Sequence, residues 1–155
     1  MNVVDATEKD LPRVRALFRE YQRSLDVDLC FQGFEQELAS LPGAYAPPRG
    51  FILLAVNDGD AVGCVGVRPL TTDEAELKRL YVQPQSRGQR VGKTLFLAAM
   101  SKAEALGYGW IVLDTLTSMH EARSLYLGYG FERIPTYDPN PEESVEYYRY
   151  QFVSS

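Results

Sequence analysis

Two arginines and two glycines form a short polar loop between a predicted strand and a predicted helix. The strand, residues 77–82, contains the aromatic Tyr81 and the β-branched Val82 and stops before Pro84. The loop residues are Arg87, Gly88, Arg90 and Gly92, and an apolar-striped helix pattern follows them. This arrangement suits a diphosphate, because unpaired N–H groups and the positive end of the helix face the anion.

The length and net charge of the chain limit the functions that are compatible with this sequence. The 155 residues predict a single domain, 1–155, which is long enough to bury a sizeable core. A net charge of -5 argues against a nucleic-acid partner, because Lys and Arg are not in excess for neutralising phosphates. The same charge fits a small cationic or amine substrate.

Cysteine usage and the apolar runs predict a cytoplasmic protein. The two cysteines, Cys30 and Cys64, lie in mostly apolar surroundings and indicate buried thiols without a disulfide framework or a metal site. Residues 1–10 lack the cationic and apolar segments of a signal peptide. The apolar runs 51–56 and 95–100 are too short to span a membrane, so no membrane partner is expected.

The periodicity of apolar residues predicts a mixed α/β domain in which strands and helices are interleaved. Thr7 is a predicted helix N-cap, with Asp10 in a capping-box position. The predicted strands are residues 2–6, 51–56, 61–68, 74–82, 110–113, 131–134 and 145–152. The predicted helices are residues 7–24, 31–41, 91–106 and 119–129. Residues 57–60 are a hairpin turn, and 41–50 and 135–141 are loops.

Two motifs in this order of elements resemble the GNAT superfamily of N-acetyltransferases. Residues 85–92, Gln-Ser-Arg-Gly-Gln-Arg-Val-Gly, resemble its Gln/Arg-x-x-Gly-x-Gly/Ala pyrophosphate loop. Residues 122–131 resemble its Ala-x-x-Leu-Tyr-x-x-x-Gly-Phe signature. Arg90 departs from the pattern where glycine or alanine is usual, and Ser118 and Met119 stand where many members carry a cofactor-binding asparagine.

The resemblance implies a GNAT-type acyl-CoA N-acyltransferase fold, a central, mostly antiparallel twisted sheet flanked by helices. It also implies acetyl-CoA as cosubstrate. The backbone of Leu80, Tyr81 and Val82 would bond its pantetheine arm. The residues expected to hold its diphosphate are Arg87, Gly88, Gln89, Arg90, Val91, Gly92 and Lys93.

Tyr126 and Glu76 are the predicted catalytic residues. A thiolate whose conjugate acid has a pKa near ~8.5 leaves more easily beside a proton donor, and the resemblance puts Tyr126 near the thioester sulfur. Helical periodicity alone makes Tyr126 a core aromatic. Glu76 is the first candidate for the base, because bases are often found on the corresponding family strand, although it could also be a solvated carboxylate. The alternate bases are Glu74, Asp114 and His120.

Aromatic residues on the first two predicted helices are candidates for the acceptor pocket. Tyr21, Phe31 and Phe34 are the predicted substrate-binding residues, and ordinary packing is their alternative role. Further candidates are Tyr45, Tyr137 and Tyr147.

The predicted function is direct transfer of an acetyl group from acetyl-CoA to a primary amine of a small molecule or peptide, in a ternary complex. One alternative is a non-catalytic GNAT-like module that binds acyl-CoA or senses another ligand. Another is a protein N-terminal acetyltransferase. A homodimer is compatible with the resemblance, and no residue decides it.

Overall fold

A computed structural model describes residues 1–25, 33–135 and 145–152. Its strands are β1 Asn2–Asp5, β2 Phe51–Asn57, β3 Asp60–Pro69, β4 Glu74–Val82, β5 Trp110–Leu116, β6 Glu132–Ile134 and β7 Val145–Gln151. Its α-helices are α1 Leu11–Ser24, α2 Phe34–Ser40, α3 Val91–Ala105 and α4 His120–Tyr129. Short 3-10 helices cover Glu8–Asp10, Gly43–Tyr45 and Pro84–Ser86. The predicted mixed α/β class is confirmed.

The seven strands form one sheet in the order β1-β2-β3-β4-β5-β7-β6. Every neighbouring pair is antiparallel except β4 and β5, which are parallel. Helices α1 and α2 pack with one face of the sheet, and α3 and α4 pack with the other. Each face therefore has its own apolar core, and the predicted, mostly antiparallel sheet flanked by helices is confirmed.

Local signals in the sequence explain how several elements begin. The Thr7 N–H donates to Asp10 Oδ2 at 2.8 Å, which is the capping contact that the sequence predicted. Asp58 and Gly59 adopt positive φ angles of 51° and 85° at the turn between β2 and β3. The predicted strand at residues 110–113 extends to Leu116, because its polar end pairs with β7.

The parallel strands β4 and β5 pair over only four positions, from Glu74 with Trp110 to Leu77 with Leu113. Both strands continue beyond this point, to Val82 and Leu116. Within the described residues, Lys78, Tyr81 and Val82 of β4 have ladder partners on β3, but no residue of 78–82 has one on β5. We call the space between these two unpaired segments the β4–β5 gap.

A β-bulge lies in β4 at the start of this gap. Gly66 pairs with Lys78 and Cys64 pairs with Tyr81, so β4 has one more residue than β3 between the two pairs. Arg79, within the bulge, has a φ of 61°, the left-handed conformation that costs most residues about 1–2 kcal/mol. A bulge bends its strand and increases the local twist, which is consistent with the separation of β4 from β5.

Six side chains of alternating charge form a chain on the α1/α2 side of the sheet. Their order is Arg79, Glu37, Arg68, Glu76, Lys78 and Asp114, and we call them the charge chain. Arg79 Nε and Nη2 donate to the two carboxylate oxygens of Glu37 at 3.0 and 3.1 Å. This fork-shaped contact attaches α2 to the bulge of β4.

Glu37→Ala is expected to lower the free energy of unfolding by about 3–5 kcal/mol, because it leaves the buried Arg79 guanidinium without its bidentate partner. Urea denaturation followed by circular dichroism measures this change. Glu35→Ala on the same helix is the matched control, because Glu35 pairs with Arg19 on the surface and contributes about 0–1 kcal/mol. Equal losses in the two variants would contradict the anchoring role of Glu37.

Candidate active site

The β4–β5 gap exposes backbone that can bind an extended ligand. Leu80, Tyr81 and Val82, the three residues predicted to bond a pantetheine arm, belong to the segment of β4 without a described partner on β5. An unpaired strand edge presents N–H and C=O groups to any chain that lies along it. The Tyr81 side chain turns away into the α1/α2 core, and its hydroxyl donates to Glu20 at 3.3 Å.

The predicted diphosphate loop leads directly from β4 into α3. Within the described part of the chain, the N–H groups of residues 88–93 have no hydrogen-bond acceptor. Gly88 has a φ of 86° with nothing within 4 Å of an added Cβ, and Val91 is buried beneath the start of α3. These free donors, together with the positive end of α3, make an anion site.

Arginine side chains flank this anion site. Arg87 Nε donates to the Val82 carbonyl at 3.0 Å, and its guanidinium carbon lies 5.8 Å from the Tyr81 ring centroid. Arg90 is the N-cap residue of α3 and has a φ of 60°. Its backbone thus adopts the conformation that favours glycine, the residue usual at this place in the motif. The exposed side chains of Arg90 and Lys93 leave the free N–H groups uncovered.

Tyr126 approaches the gap from α4. Its ring is 4 % exposed and packs against Phe96, Phe131 and Tyr148, at centroid distances of 5.4, 5.8 and 6.5 Å. Its hydroxyl makes no hydrogen bond to any described residue. Burial raises the pKa of Tyr126, and nearby Tyr21 and Asp114 raise it further, so the hydroxyl keeps its proton near neutral pH.

Tyr21, on α1, packs on the α1/α2 side of the sheet. Its ring contacts that of Tyr81 edge to face at 6.1 Å. Burial raises the pKa of Tyr21 to about 12; the Arg79 charge lowers this pKa, and the Asp114 charge raises it. Tyr21 and Tyr126 therefore both lie within electrostatic range of Asp114, which connects the α1 side of the gap with the α4 side.

The other predicted acceptor residues are differently placed. Phe34 is fully buried and packs beneath the Arg79 guanidinium at 5.2 Å, so it supports Arg79 and presents no surface to a ligand. Phe31 and Tyr137 lie outside the described residues. Tyr45 is buried over Gly66, whereas Tyr147 pairs with Asp114 across β5 and β7.

The four candidates for the base lie in different environments in the structure. Glu76 is 3 % exposed, and its Oε1 accepts a hydrogen bond from Arg68 Nε at 2.9 Å. Glu74 lies at the other end of the parallel ladder, opposite Trp110, and His120 is exposed at the start of α4. Asp114 lies one residue past the last β4–β5 pair, with its side chain 25 % exposed. Asp114 is therefore the more exposed of the two carboxylates beside the gap, and the choice of Glu76 as the base stays a prediction.

Sequence reasoning missed Lys78 and the pair of Glu37 with Arg79. Lys78 Nζ lies 3.9 Å from Asp114 Oδ2, at the first position where β4 and β5 are no longer paired. This contact depends on the register of two strands that are far apart in sequence. The one available signal was alternation, because Glu76 and Lys78 are charged residues on one face of an otherwise buried strand.

No metal or membrane feature is found in the residues that the structure describes. No group of three or more His, Cys, Asp and Glu side chains could hold a metal ion there. None of the described helices is long and apolar enough to cross a membrane. Cys64 is a buried free thiol, as predicted, and Cys30 lies outside the described ranges.

A sheet that opens between two parallel strands, next to a loop of free N–H groups, defines a GNAT-type acyltransferase fold. The chain belongs to the acetyltransferase (GNAT) family, whose model matches residues 11–131. A Schizosaccharomyces pombe protein, uncharacterized N-acetyltransferase C1271.07c, is 40% identical over 143 residues. That match covers 91% of this chain and 88% of the yeast protein.

Solved structures share the fold at low sequence identity. A GNAT-family acetyltransferase from Staphylococcus aureus superposes with a TM-score of 0.80 at 20% identity, covering 97% of this chain and 98% of that one. PaiA N-acetyltransferase from Thermoplasma acidophilum, solved in complex with coenzyme A, has a TM-score of 0.74 at 19% identity. This match covers 98% of this chain and 100% of that one.

Gly92→Asp is expected to weaken acetyl-CoA binding about tenfold or more, because a carboxylate would face the diphosphate at the start of α3. A Cβ at Gly92 would lie 3.6 Å from Val82 Cγ2, which is ordinary contact, so the fold should persist. Isothermal titration calorimetry measures the affinity, with adenosine 3′,5′-bisphosphate as a second ligand.

Ser101→Asp is the matched control for this variant. It adds the same charge to an exposed position of α3, roughly 14 Å further along the helix axis. Its acetyl-CoA affinity should equal that of the wild type. An unchanged affinity in Gly92→Asp would exclude the loop as the diphosphate site.

Proposed function

We propose that the protein transfers an acetyl group from acetyl-CoA directly to a primary amine of a small molecule or peptide, within a ternary complex. The observation that carries this proposal is Tyr126, whose ring is buried, whose hydroxyl has no hydrogen-bond partner among the described residues, and whose pKa is raised by the charge of Asp114. A donor and an acceptor of protons thus lie near one another, and Asp114 begins the unpaired segment of β5. Family membership supports acyl transfer as the reaction class.

The described residues fit acetyl-CoA as a ligand. The free N–H groups of residues 88–93 and the cations Arg87, Arg90 and Lys93 would hold its diphosphate. The unpaired edge at residues 80–82 would bond its pantetheine arm. Coenzyme A in the structure of the Thermoplasma acidophilum protein gives further support.

An acyl thioester supplies a carbonyl carbon to which the amine nitrogen bonds while the carbon–sulfur bond breaks, so nitrogen loses a proton and sulfur gains one. Tyr126 would donate a hydrogen bond to the sulfur as its negative charge develops. The raised pKa of Tyr126 suits hydrogen bonding better than complete proton transfer to a thiolate whose conjugate acid has a pKa near ~8.5.

The acceptor must lose a proton before it attacks. An amine with a pKa of ~10.4 is only a few parts in ten thousand neutral at about pH 7. Asp114 would take this proton directly or through water, since it is the more exposed carboxylate of the charge chain next to the gap.

Direct transfer is supported by the chemistry of Cys64, the described cysteine. Its side chain is fully buried and donates to the Arg79 carbonyl at 3.3 Å, and burial raises the pKa of the thiol. A buried neutral thiol is a poor nucleophile. Cys64 would therefore not carry the acetyl group between donor and acceptor.

Tyr126→Phe is expected to lower kcat about 100-fold with little change in KM for acetyl-CoA, because only the hydrogen bond to the leaving sulfur is lost. Release of the free thiol of CoA, followed with a colorimetric thiol reagent, measures the rate against a panel of primary amines. Tyr129→Phe is the matched control, because it removes a partly exposed hydroxyl from the same helix.

Each result has a distinct meaning. A wild-type rate in Tyr126→Phe would remove this hydroxyl from the mechanism. Binding of acetyl-CoA without turnover of any amine would instead favour the alternative of an acyl-CoA-binding sensor. Turnover confined to peptide N-termini would identify the N-terminal acetyltransferase.

A further inference from the structure

Lys78 is a buried cation without a hydrogen bond. Its side chain is 7 % exposed, yet its ammonium group donates to none of the described residues. Its nearest charged atoms are Glu76 Oε2 and Asp114 Oδ2, each at 3.9 Å, which is beyond hydrogen-bond distance. The ammonium nitrogen is not among the enclosed polar atoms without a partner, so water or a ligand can reach its free donors.

The other two cations of the charge chain differ from Lys78, because each has a hydrogen-bonded carboxylate partner. Arg79 donates twice to Glu37, and Arg68 donates to Glu76 at 2.9 Å. Both guanidinium groups therefore have direct carboxylate partners. Lys78 alone among these three cations is held by long-range attraction only, and it is the one beside the gap.

Asp114, like Lys78, has unused hydrogen-bonding capacity. Its carboxylate accepts no hydrogen bond from a described residue, and its side chain is 25 % exposed. Lys78 and Asp114 thus form a loosely spaced pair of opposite charges, in which each group has free hydrogen-bonding capacity. A ligand that carries both charges could bond to each group without breaking an existing hydrogen bond.

We propose that the acceptor is an α-amino acid or a similar amino carboxylate, which binds with its carboxylate on Lys78 and its ammonium on Asp114. In an α-amino acid the nitrogen and the carboxylate oxygens are about 3 Å apart, which matches the 3.9 Å between Lys78 Nζ and Asp114 Oδ2. This inference rests on the proposed function and specifies its substrate class.

The position of the pair also orients the acceptor. Lys78 and Asp114 are the residues that follow the last paired positions of β4 and β5, so they lie where the gap opens. An ammonium held on Asp114 is already beside the carboxylate that would take its proton. Lys78 would therefore select the acceptor while Asp114 both binds and deprotonates it.

The test compares matched acceptors that differ by one carboxyl group. Phenylalanine is paired with phenethylamine, glutamate with 4-aminobutyrate, and lysine with cadaverine, and kcat/KM is measured for each with acetyl-CoA. For at least one pair, the wild type is expected to prefer the amino acid by about 10- to 100-fold, as for a hydrogen bond to a charged group.

Lys78→Met is expected to abolish this preference by raising KM for the amino acid, while the rate with the matched amine stays within a few-fold. Lys78→Arg keeps the charge and should retain most of the preference, which separates recognition from misfolding. Thermal unfolding of both variants, with and without acetyl-CoA, shows that the fold and the donor site persist.

Other outcomes would overturn the inference. Equal use of amino acids and matched amines by the wild type would contradict it while leaving acetyl transfer intact. A drop in kcat for both acceptors in Lys78→Met would assign Lys78 to the reaction itself and not to the acceptor carboxylate. Absence of turnover with every acceptor would overturn the proposed function, and this inference with it.

Discussion

The bidentate contact between Arg79 and Glu37 is the interaction on which the site depends. Arg79 is the residue of the β4 bulge that adopts a left-handed backbone conformation, and its side chain turns toward α2. The bulge accompanies the separation of β4 from β5, and the guanidinium holds α2 over the same point. One residue thus links the opening of the gap to the position of α2.

Burying the charged side chains of the charge chain beneath α2 costs free energy. Buried ion pairs often contribute no more stability than well-packed apolar residues would, because each charge loses its hydration. Glu76, Lys78 and Arg79 are each less than a tenth exposed, so this cost applies to all three. The proposed binding of a charged acceptor and transfer of a proton would gain from this arrangement, because the charges are fixed before the ligand arrives.

The sequence predicted the elements well where the pattern was local. Strand β4 begins and ends as predicted, at Glu74 and Val82, because its apolar alternation and the proline after it are both visible in the chain. Strand β5 was predicted too short, because Asp114 and Thr115 interrupt its apolar run although both pair with β7. The family resemblance assigned roles to the loop and to Tyr126 that stay predictions, whereas periodicity alone assigned Tyr126 to the core, where its ring packs.

The roles of individual acceptor-side residues could not be predicted in the same way. Phe34 is an aromatic residue of the type that lines pockets. Its side chain is instead buried against Arg79, which lies 45 residues further along the chain. Glu76 has the chemistry of a base, and its ion pair with Arg68 follows from the register of β3 against β4. Such contacts depend on tertiary structure, so residue type and spacing leave them open.

The two separate cores have an evolutionary consequence. One core joins α3 and α4 to the sheet beside the diphosphate loop and Tyr126, whereas the other joins α1 and α2 to the opposite face. Substitutions in the second core can alter what covers the acceptor side while the first keeps its packing, since distant sites affect stability almost independently. Under the proposed function, descendants of this protein could therefore change their acceptor while they inherit one unchanged way of holding the acyl donor.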